Sequence, residues 1–160
     1  MPDGSTQVAA ATTGGVLEVD VLSTSGTWQG WKTVSQPGVT VKSVGIAGMP
    51  NGSSQIIEVT SAGVLKHNVR NADGTWQASG WGSPAGSTGI AQASITALPD
   101  GSAVLSAILA SGEVESDQRN ANGSWQVWGT FNSTYLPDAV SVDVAGLPNG
   151  DVQLMAVAGQ

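Results

Sequence analysis

The sequence has no cysteine, so it offers neither a disulfide nor a thiolate for metal binding or nucleophilic catalysis. Only five of its 160 residues are Lys or Arg, against twelve Asp or Glu, which gives a formal net charge of −7. With no basic stripe, the chain cannot neutralise a phosphate backbone. Its apolar runs are far shorter than the roughly 20 residues of a membrane span. We expect no nucleic-acid partner and no membrane insertion.

The first five residues carry no charged segment followed by an apolar one, so we expect no signal peptide in this chain. The absence of cysteine fits a reduced cytosol as well as a secreted bacterial protein without disulfides. The compartment therefore stays open at this stage.

Helix-forming patterns are also missing. No 12-residue window has Leu, Glu, Lys and Arg at helical spacing without Gly or Pro, and the chain contains 22 Gly and 7 Pro. Val, Thr, Ser and Ala supply most of the bulk, which is typical of strands and turns. The composition predicts an all-β protein of one domain.

The sequence repeats with a period of about 49 residues. A Met/Leu-Pro-Asp/Asn-Gly turn occurs four times, with Pro2, Pro50, Pro99 and Pro148 spaced 48, 49 and 49 residues apart. A second signature, Gly-Thr/Ser-Trp-Gln, occurs three times, at 26–29, 74–77 and 123–126. We therefore predict a single repeat domain over 1–160, with repeats at approximately 1–48, 49–97 and 98–146 and a partial repeat at 147–160.

Repeat two predicts four strands separated by turn residues, at 44–48, 54–60, 64–70 and 76–82. Four short antiparallel strands every 40 to 50 residues are typical of a β-propeller blade, in which each sheet buries both faces against its neighbours. A trefoil and a three-sheet prism are the competing architectures.

The chain carries about three four-stranded antiparallel blades, and a propeller ring closes with at least four. We expect oligomerisation to complete the ring, with a homodimer of six blades favoured. Strand 140–145 of one subunit would complete the first blade of the other, and 152–157 would then be a surplus strand. The alternative is that the chain is a piece of a longer propeller.

Catalytic signatures are scarce. One histidine excludes a multi-histidine metal site, and the loop at 71–74 lacks the ligands of a calcium loop beyond its Gly. Segment 71–76 resembles the Asp-box turn of sialidases but is one residue short, and that turn is structural. Asp20 and Asp117 fall at equivalent positions of different repeats, so they would not face each other across a glycosidic bond. We expect no enzymatic activity, no metal and no cofactor.

Six tryptophans, against one Tyr and one Phe, form one pair in each repeat. The pairs are Trp28 and Trp31, Trp76 and Trp81, and Trp125 and Trp128. Either both indoles of a pair fill the wedge between blades, or one presents its face to the apolar side of a sugar ring. Polar partners for a sugar would come from the third strand, and the candidates are His67, Asn68, Arg70, Asp117 and Arg119.

Residues 63–77, Gly-Val-Leu-Lys-His-Asn-Val-Arg-Asn-Ala-Asp-Gly-Thr-Trp-Gln, follow a Met-Pro-Asn-Gly-Ser turn. This blade resembles the repeats of PLL-like bacterial β-propeller lectins and related tectonin-type repeat proteins, and the resemblance extends over the whole chain. It implies shallow sites between adjacent blades that bind fucose, galactose or O-methylated sugars without a metal or catalysis. A lectin of this kind would act extracellularly or at cell surfaces.

The resemblance makes multivalent glycan binding the leading hypothesis, with fucosylated, galactosylated or methylated glycans as partners. Repeat one departs from the pattern, because Val19 and Leu22 stand where repeat two has His67 and Arg70. Sites on different blades are therefore expected to be unequal. The alternative is a structural or protein-interaction propeller without sugar binding.

Overall fold

The computed structural model describes residues 1–34, 36–130 and 138–159, and within them the chain forms twelve β-strands and no helix. In chain order the strands are β1 (Thr6–Ala11), β2 (Leu17–Leu22), β3 (Lys32–Thr33), β4 (Val41–Gly48), β5 (Ser54–Thr60), β6 (Leu65–Arg70), β7 (Ile90–Ala97), β8 (Ala103–Leu109), β9 (Val114–Arg119), β10 (Gly129–Thr130), β11 (Ala139–Gly146) and β12 (Val152–Ala158). The prediction of an all-β fold is confirmed.

The strands form antiparallel meanders that follow the repeats. Blade 1 contains β1 to β3, blade 2 contains β4 to β6, blade 3 contains β7 to β10, and half-blade 4 contains β11 and β12. Strand β7 contacts both β4 and β11, so the first strands of successive blades are neighbours. This is the blade arrangement of a β-propeller, with about three blades in the chain.

The turn between the first and second strands of each repeat, called the A–B turn below, depends on glycine. Gly52 has a φ of 83°, in the left-handed region, and its N–H donates to the carbonyl of Met49 at 3.0 Å. Oδ1 of Asn51 accepts from the N–H of Ser53 at 3.0 Å and from its hydroxyl at 2.6 Å. Glycines 4, 101 and 150 hold the same place with φ values of 85°, 85° and 89°.

Strand β5 buries side chains on both of its faces. All seven of its residues are buried. Ile56 packs in one cluster with Leu17 of blade 1, whereas Ile57 packs in another with Leu105 of blade 3. Burial of each such side chain contributes about 1.5–3 kcal/mol. The hydrophobic core therefore lies between neighbouring sheets, as the repeat predicts.

The fourth strand predicted for blade 2 at 76–82 is wrong as a continuous strand. The segment meets β6 only at two isolated bridges, Arg70 with Trp76 and His67 with Gly82. Between them the N–H of Gly80 donates to the carbonyl of Gln77 at 2.9 Å, and Gly80 has a φ of 67°. This repeat has two more residues between its tryptophans than the others, and they form a turn that interrupts the ladder.

Sheet edges are uncovered at both ends of the described arc. Strand β12 occupies the repeat position of β5 and β8, yet its Met155 and Val157 are 68% and 55% exposed. Trp28 and Trp31 of blade 1 are also half exposed. A further blade on either side would bury these surfaces.

Candidate functional site

Two polar grooves lie between blades, on the face that carries the A–B turns. Groove I separates blades 1 and 2, and its polar lining includes Asp3, Ser5, Gln7, Gln29, Arg70 and Asp73. Groove II separates blades 2 and 3, and its polar lining includes Asn51, Ser53, Gln55, Gln77 and Arg119. Their volumes of about 330 and 300 Å³ lie at the lower end of the range for small-ligand sites.

The two grooves are built from the same positions of the repeat. Gln7 and Gln55 are 48 residues apart, and Arg70 and Arg119 are 49 apart. In each groove one blade supplies the A–B turn and two glutamines, while the third strand of the next blade supplies the arginine. The repeat therefore builds the same kind of groove between blades 1 and 2 and between blades 2 and 3.

Each groove arginine lies over the hairpin of its own blade. A Cβ at Gly74 would lie 2.9 Å from Nη2 of Arg70, and one at Gly123 would lie 3.0 Å from Nη2 of Arg119. Glycine at these hairpins therefore gives the guanidinium groups room, besides supplying the positive φ of the turn.

Arg119 is held in the groove without a partner for one of its donors. Its Nε is buried and has no hydrogen-bond acceptor among the described residues. Burial lowers the pKa of Arg119, but a guanidinium stays charged under physiological conditions. Because Nε itself is enclosed, a ligand in the groove can reach the guanidinium only through its other nitrogens.

A buried chain of side chains forms the wall behind groove II. Nε2 of His67 lies 2.9 Å from Oε1 of Gln55, and because an amide oxygen only accepts, the histidine nitrogen donates. Nε2 of Gln55 in turn donates to Sδ of Met49 at 3.4 Å. The His67 ring packs edge-on against Trp125 of blade 3, with centroids 5.2 Å apart. His67 thus fixes the orientation of the Gln55 amide.

His67 is neutral at physiological pH. Burial, with a smaller contribution from the Arg119 charge, lowers its pKa to about 3. The ring therefore acts as a fixed donor and a packing element in the wall of groove II. Repeat one has Val19 at this position, so groove I lacks the equivalent hydrogen bond.

Four of the six predicted tryptophans pack between blades. Trp76 and Trp81 pack against the core cluster shared by blades 1 and 2, with ring centroids 6.5 Å apart. Nε1 of Trp81 donates to the carbonyl of Val34 in blade 1 at 3.1 Å. Trp125 and Trp128 pack against the cluster between blades 2 and 3. This placement gives them a wedge-filling role, and sugar stacking stays a prediction.

Asn68 and Asp117 lie beneath the surface and do not line either groove. Both are buried, and the Oδ1 of each accepts from the N–H of the next residue, at 2.8 and 2.7 Å. Burial raises the pKa of Asp117. Their contact with a sugar stays a prediction.

A smaller depression beside groove I brings two of the sequence-predicted residues together. Arg70 and Trp76 line it with Gln29 and Lys32 of blade 1. Arg70 therefore borders both this depression and groove I. A ligand held by the guanidinium would have an indole within reach on one side.

Sequence reasoning missed the glutamines and the A–B turn side chains of the grooves. Gln29 and Gln77 belong to the Gly-Thr-Trp-Gln signature, of which only the tryptophan was considered as a ligand contact. Gln7 and Gln55 recur at the repeat period inside strands, where they read as ordinary polar positions. The signal that could have identified them is that glutamine recurs at the same position of two repeats, within strands whose other positions are mostly apolar.

In the part of the chain that the structure describes, no group of three or more His, Asp or Glu side chains is arranged to hold a metal ion. The same residues contain no helix with the length and hydropathy of a membrane span.

Comparison with solved structures identifies similar folds among lectins. BP39L lectin from Burkholderia pseudomallei matches with a TM-score of 0.69 at 16% sequence identity, over 96% of this chain and 46% of that chain. The lectin of Aleuria aurantia, described as a six-bladed β-propeller with a novel fucose recognition mode, matches with a TM-score of 0.63 at 14% identity, over 96% of this chain and 49% of that one. This chain spans about half the length of these lectins.

A propeller enzyme has a similar fold too. The NanB sialidase from Streptococcus pneumoniae matches with a TM-score of 0.62 at 15% identity, over 94% of this chain but 25% of that one. The sequence matches no family model and no curated protein. At such identities the structural matches show the β-propeller fold alone, and the predicted PLL-like family is not established by them.

Replacing His67 by Val, the residue of repeat one, should flatten the acid dependence of stability. Because the pKa of His67 falls from 6.5 when unfolded to about 3 when folded, the unfolded chain binds one more proton between these pH values. The wild type should lose up to about 1.4 kcal/mol per pH unit on acidification through this window, beyond the loss in the variant. Urea unfolding at several pH values measures both slopes, and equal slopes would contradict the burial of a neutral His67.

Proposed function

We propose that the protein is a multivalent, non-catalytic carbohydrate-binding protein whose sugar sites are grooves I and II. The observation that carries the proposal is the recurrence of one polar site at the repeat period, each time with an arginine from the following blade. A site duplicated in this way serves attachment to a repetitive ligand better than it serves a single chemical reaction.

The lining chemistry suits sugar hydroxyls. A hydroxyl both donates and accepts, and the grooves offer amide groups that do the same, together with guanidinium donors. In groove II the amide of Gln55 is oriented by His67, so its geometry is set before a ligand arrives. Preorganised polar groups reduce the entropy lost on binding.

Fucose, galactose and O-methylated sugars are the proposed ligands. The resemblance of repeat two to PLL-like lectins supports this choice, and so does the fold that the chain shares with lectins, one of which is described by its fucose recognition mode. Single shallow sites of this kind bind at about millimolar affinity, equivalent to about 4 kcal/mol. Several sites on one rigid face raise the avidity for a dense glycan surface.

The absence of catalysis is part of the proposal. A glycosidase needs an acid and a base or nucleophile placed on either side of the scissile bond. Groove II is lined by amides, hydroxyls and an arginine, and the neighbouring imidazole of His67 is buried and neutral. In groove I, hydrogen bonds from Ser5 and Thr75 lower the pKa values of Asp3 and Asp73, so neither carboxyl stays protonated to act as the acid. The structural similarity to a sialidase makes a chromogenic sialoside the substrate to test, and we expect no release of the chromophore.

We further propose that a second copy of this chain covers the open edges and completes the ring. Blade 1 lacks an inner strand beside β1, and half-blade 4 lacks the two outer strands beyond β12. Two copies would supply six blades, the number given for the Aleuria aurantia lectin, of which this chain covers half. Where the two copies meet, β1 of one copy and β12 of the other both correspond to the second strand of the blade, so one of them is surplus.

Substitution of both groove arginines by glutamine should abolish sugar binding without unfolding the protein. Loss of a hydrogen bond to a charged donor costs about 1.5–3 kcal/mol, or roughly one to two orders of magnitude in affinity. We expect Arg70→Gln and Arg119→Gln each to remove one class of site in calorimetric titrations with methyl fucoside and galactose.

The matched control is Lys42→Gln, which removes the same charge at an exposed position of β4 outside both grooves. It should bind as the wild type does. Undiminished binding by the double arginine variant would refute the groove assignment, and a wild type that binds no sugar on a glycan array would favour the protein-interaction alternative.

Light scattering at micromolar concentration should give a mass twice the 16.0 kDa of the chain. Burial of the exposed apolar side chains at both edges stabilises the association. A stable monomer with Trp28 and Trp31 still exposed would contradict closure by a second copy.

A further inference from the structure

Grooves I and II share their architecture but differ in the charge of their lining. Groove I is lined by Arg70, by two carboxylates, Asp3 and Asp73, and by the N-terminal ammonium of Met1, which donates to the carbonyl of Ser5, so these charges sum to zero. Groove II has Arg119 and no carboxylate in its described lining, for a net charge of +1. Amides replace the acids here, since Asn51 stands at the position of Asp3 and Asn122 at that of Asp73.

The turns themselves do not require the negative charge. Oδ1 of Asp3 accepts from the N–H and hydroxyl of Ser5 at 2.9 and 2.7 Å. Oδ1 of Asn51 accepts the same two bonds from Ser53, at 3.0 and 2.6 Å. The hairpins show the same equivalence, because Oδ1 of Asp73 accepts from the N–H and hydroxyl of Thr75, and Oδ1 of Asn122 accepts from those of Ser124. Exchange of Asp for Asn therefore preserves the fold and changes the groove.

Both acids of groove I are ionised at neutral pH. Hydrogen bonds from Ser5 lower the pKa of Asp3, and hydrogen bonds from Thr75 lower that of Asp73, with a further contribution from the Arg70 charge. A ligand carboxylate approaching Arg70 would thus meet two negative charges in the same groove. Groove I suits a neutral ligand.

The positive charge of Arg119 is not offset by an ion pair within the described residues. Its Nε is buried without a partner, and its neighbour His67 is neutral. The acids on the same strand and in the next A–B turn lie outside the lining of groove II. Glu115 and Asp117 precede Arg119 on β9, with Asp117 buried, and Asp100 is bonded to Ser102. A guanidinium exposed to a ligand in this state binds a carboxylate through two parallel hydrogen bonds.

We infer that the two grooves differ in their preference for charge: groove II prefers a carboxylate-bearing sugar, such as a uronic or sialic acid, and groove I prefers a neutral sugar. The inference rests on the proposed function, because it assigns a ligand class to each of the proposed sites. The protein would then recognise glycans that contain acidic and neutral sugars together, with adjacent grooves binding different sugars of one glycan.

Galacturonate and galactose are the matched probes, since they differ only in the carboxylate at C6, and N-acetylneuraminate is a second acid that separates the sialic from the uronic class. Arg70→Gln leaves only groove II intact and should prefer an acidic probe. Arg119→Gln leaves only groove I and should prefer galactose. Raising the salt concentration should weaken the acidic probes more than galactose.

Asn51→Asp is the sharpest variant, because it places in groove II the acid that groove I carries, on a turn that accepts either residue. It should lower the affinity ratio of galacturonate to galactose by about tenfold, from Coulomb repulsion at a distance of a few ångströms in a partly exposed groove. Ser61→Asp is the control, since it adds the same charge to the exposed turn between β5 and β6, outside the lining of both grooves, and should leave the ratio unchanged.

The outcomes separate this inference from the proposed function. If galactose binds but Arg70→Gln shows no preference for either acid, or if Asn51→Asp leaves the ratio unchanged, the division by charge is wrong and the sugar sites remain. If no sugar binds to the wild type, both proposals fail.

Discussion

The sheets of blades 2 and 3 bury both of their faces against neighbouring blades, and the rest of the structure depends on that packing. It explains why Ile56 and Ile57, adjacent on one strand, belong to different core clusters. It also explains why the tryptophans of blades 2 and 3 lie between sheets, whereas Trp28 and Trp31, with no earlier blade against them, are half exposed. Where the sheets diverge toward the turns, polar side chains replace apolar ones and leave the two grooves.

The repeat made most of the fold predictable. The predicted strand at 54–60 has the observed bounds, because Pro, Gly and Asn at fixed offsets mark the turns on either side. The fourth strand of blade 2 was not predictable in the same way. Its two additional residues belong to a run that ends in the turn signal Ser79-Gly80, and the turn breaks the register that a ladder needs with the neighbouring strand.

The site was less accessible to sequence reasoning than the fold. Arg70, Arg119 and His67 were identified by their chemistry, and the structure brings the arginines into the grooves and His67 behind one of them. Asn68 and Asp117 were chosen for the same reason but are buried. Each lies on the same side of its strand as the groove arginine but two residues before it, farther from the hairpin at the strand end. The tryptophans recur at the same positions of the repeat whether they fill the space between blades or stack on a ligand, so the sequence does not distinguish the two roles.

The most direct test of the central claim, that sugar binds in the grooves between blades, is an NMR titration that follows the backbone and side-chain amides with methyl fucoside. The account predicts shifts of the Gln55 and Gln77 amides in groove II and of Gln7 and Gln29 in groove I. Shifts confined to the turn at 61–63, which joins the second and third strands on the opposite face, would contradict it.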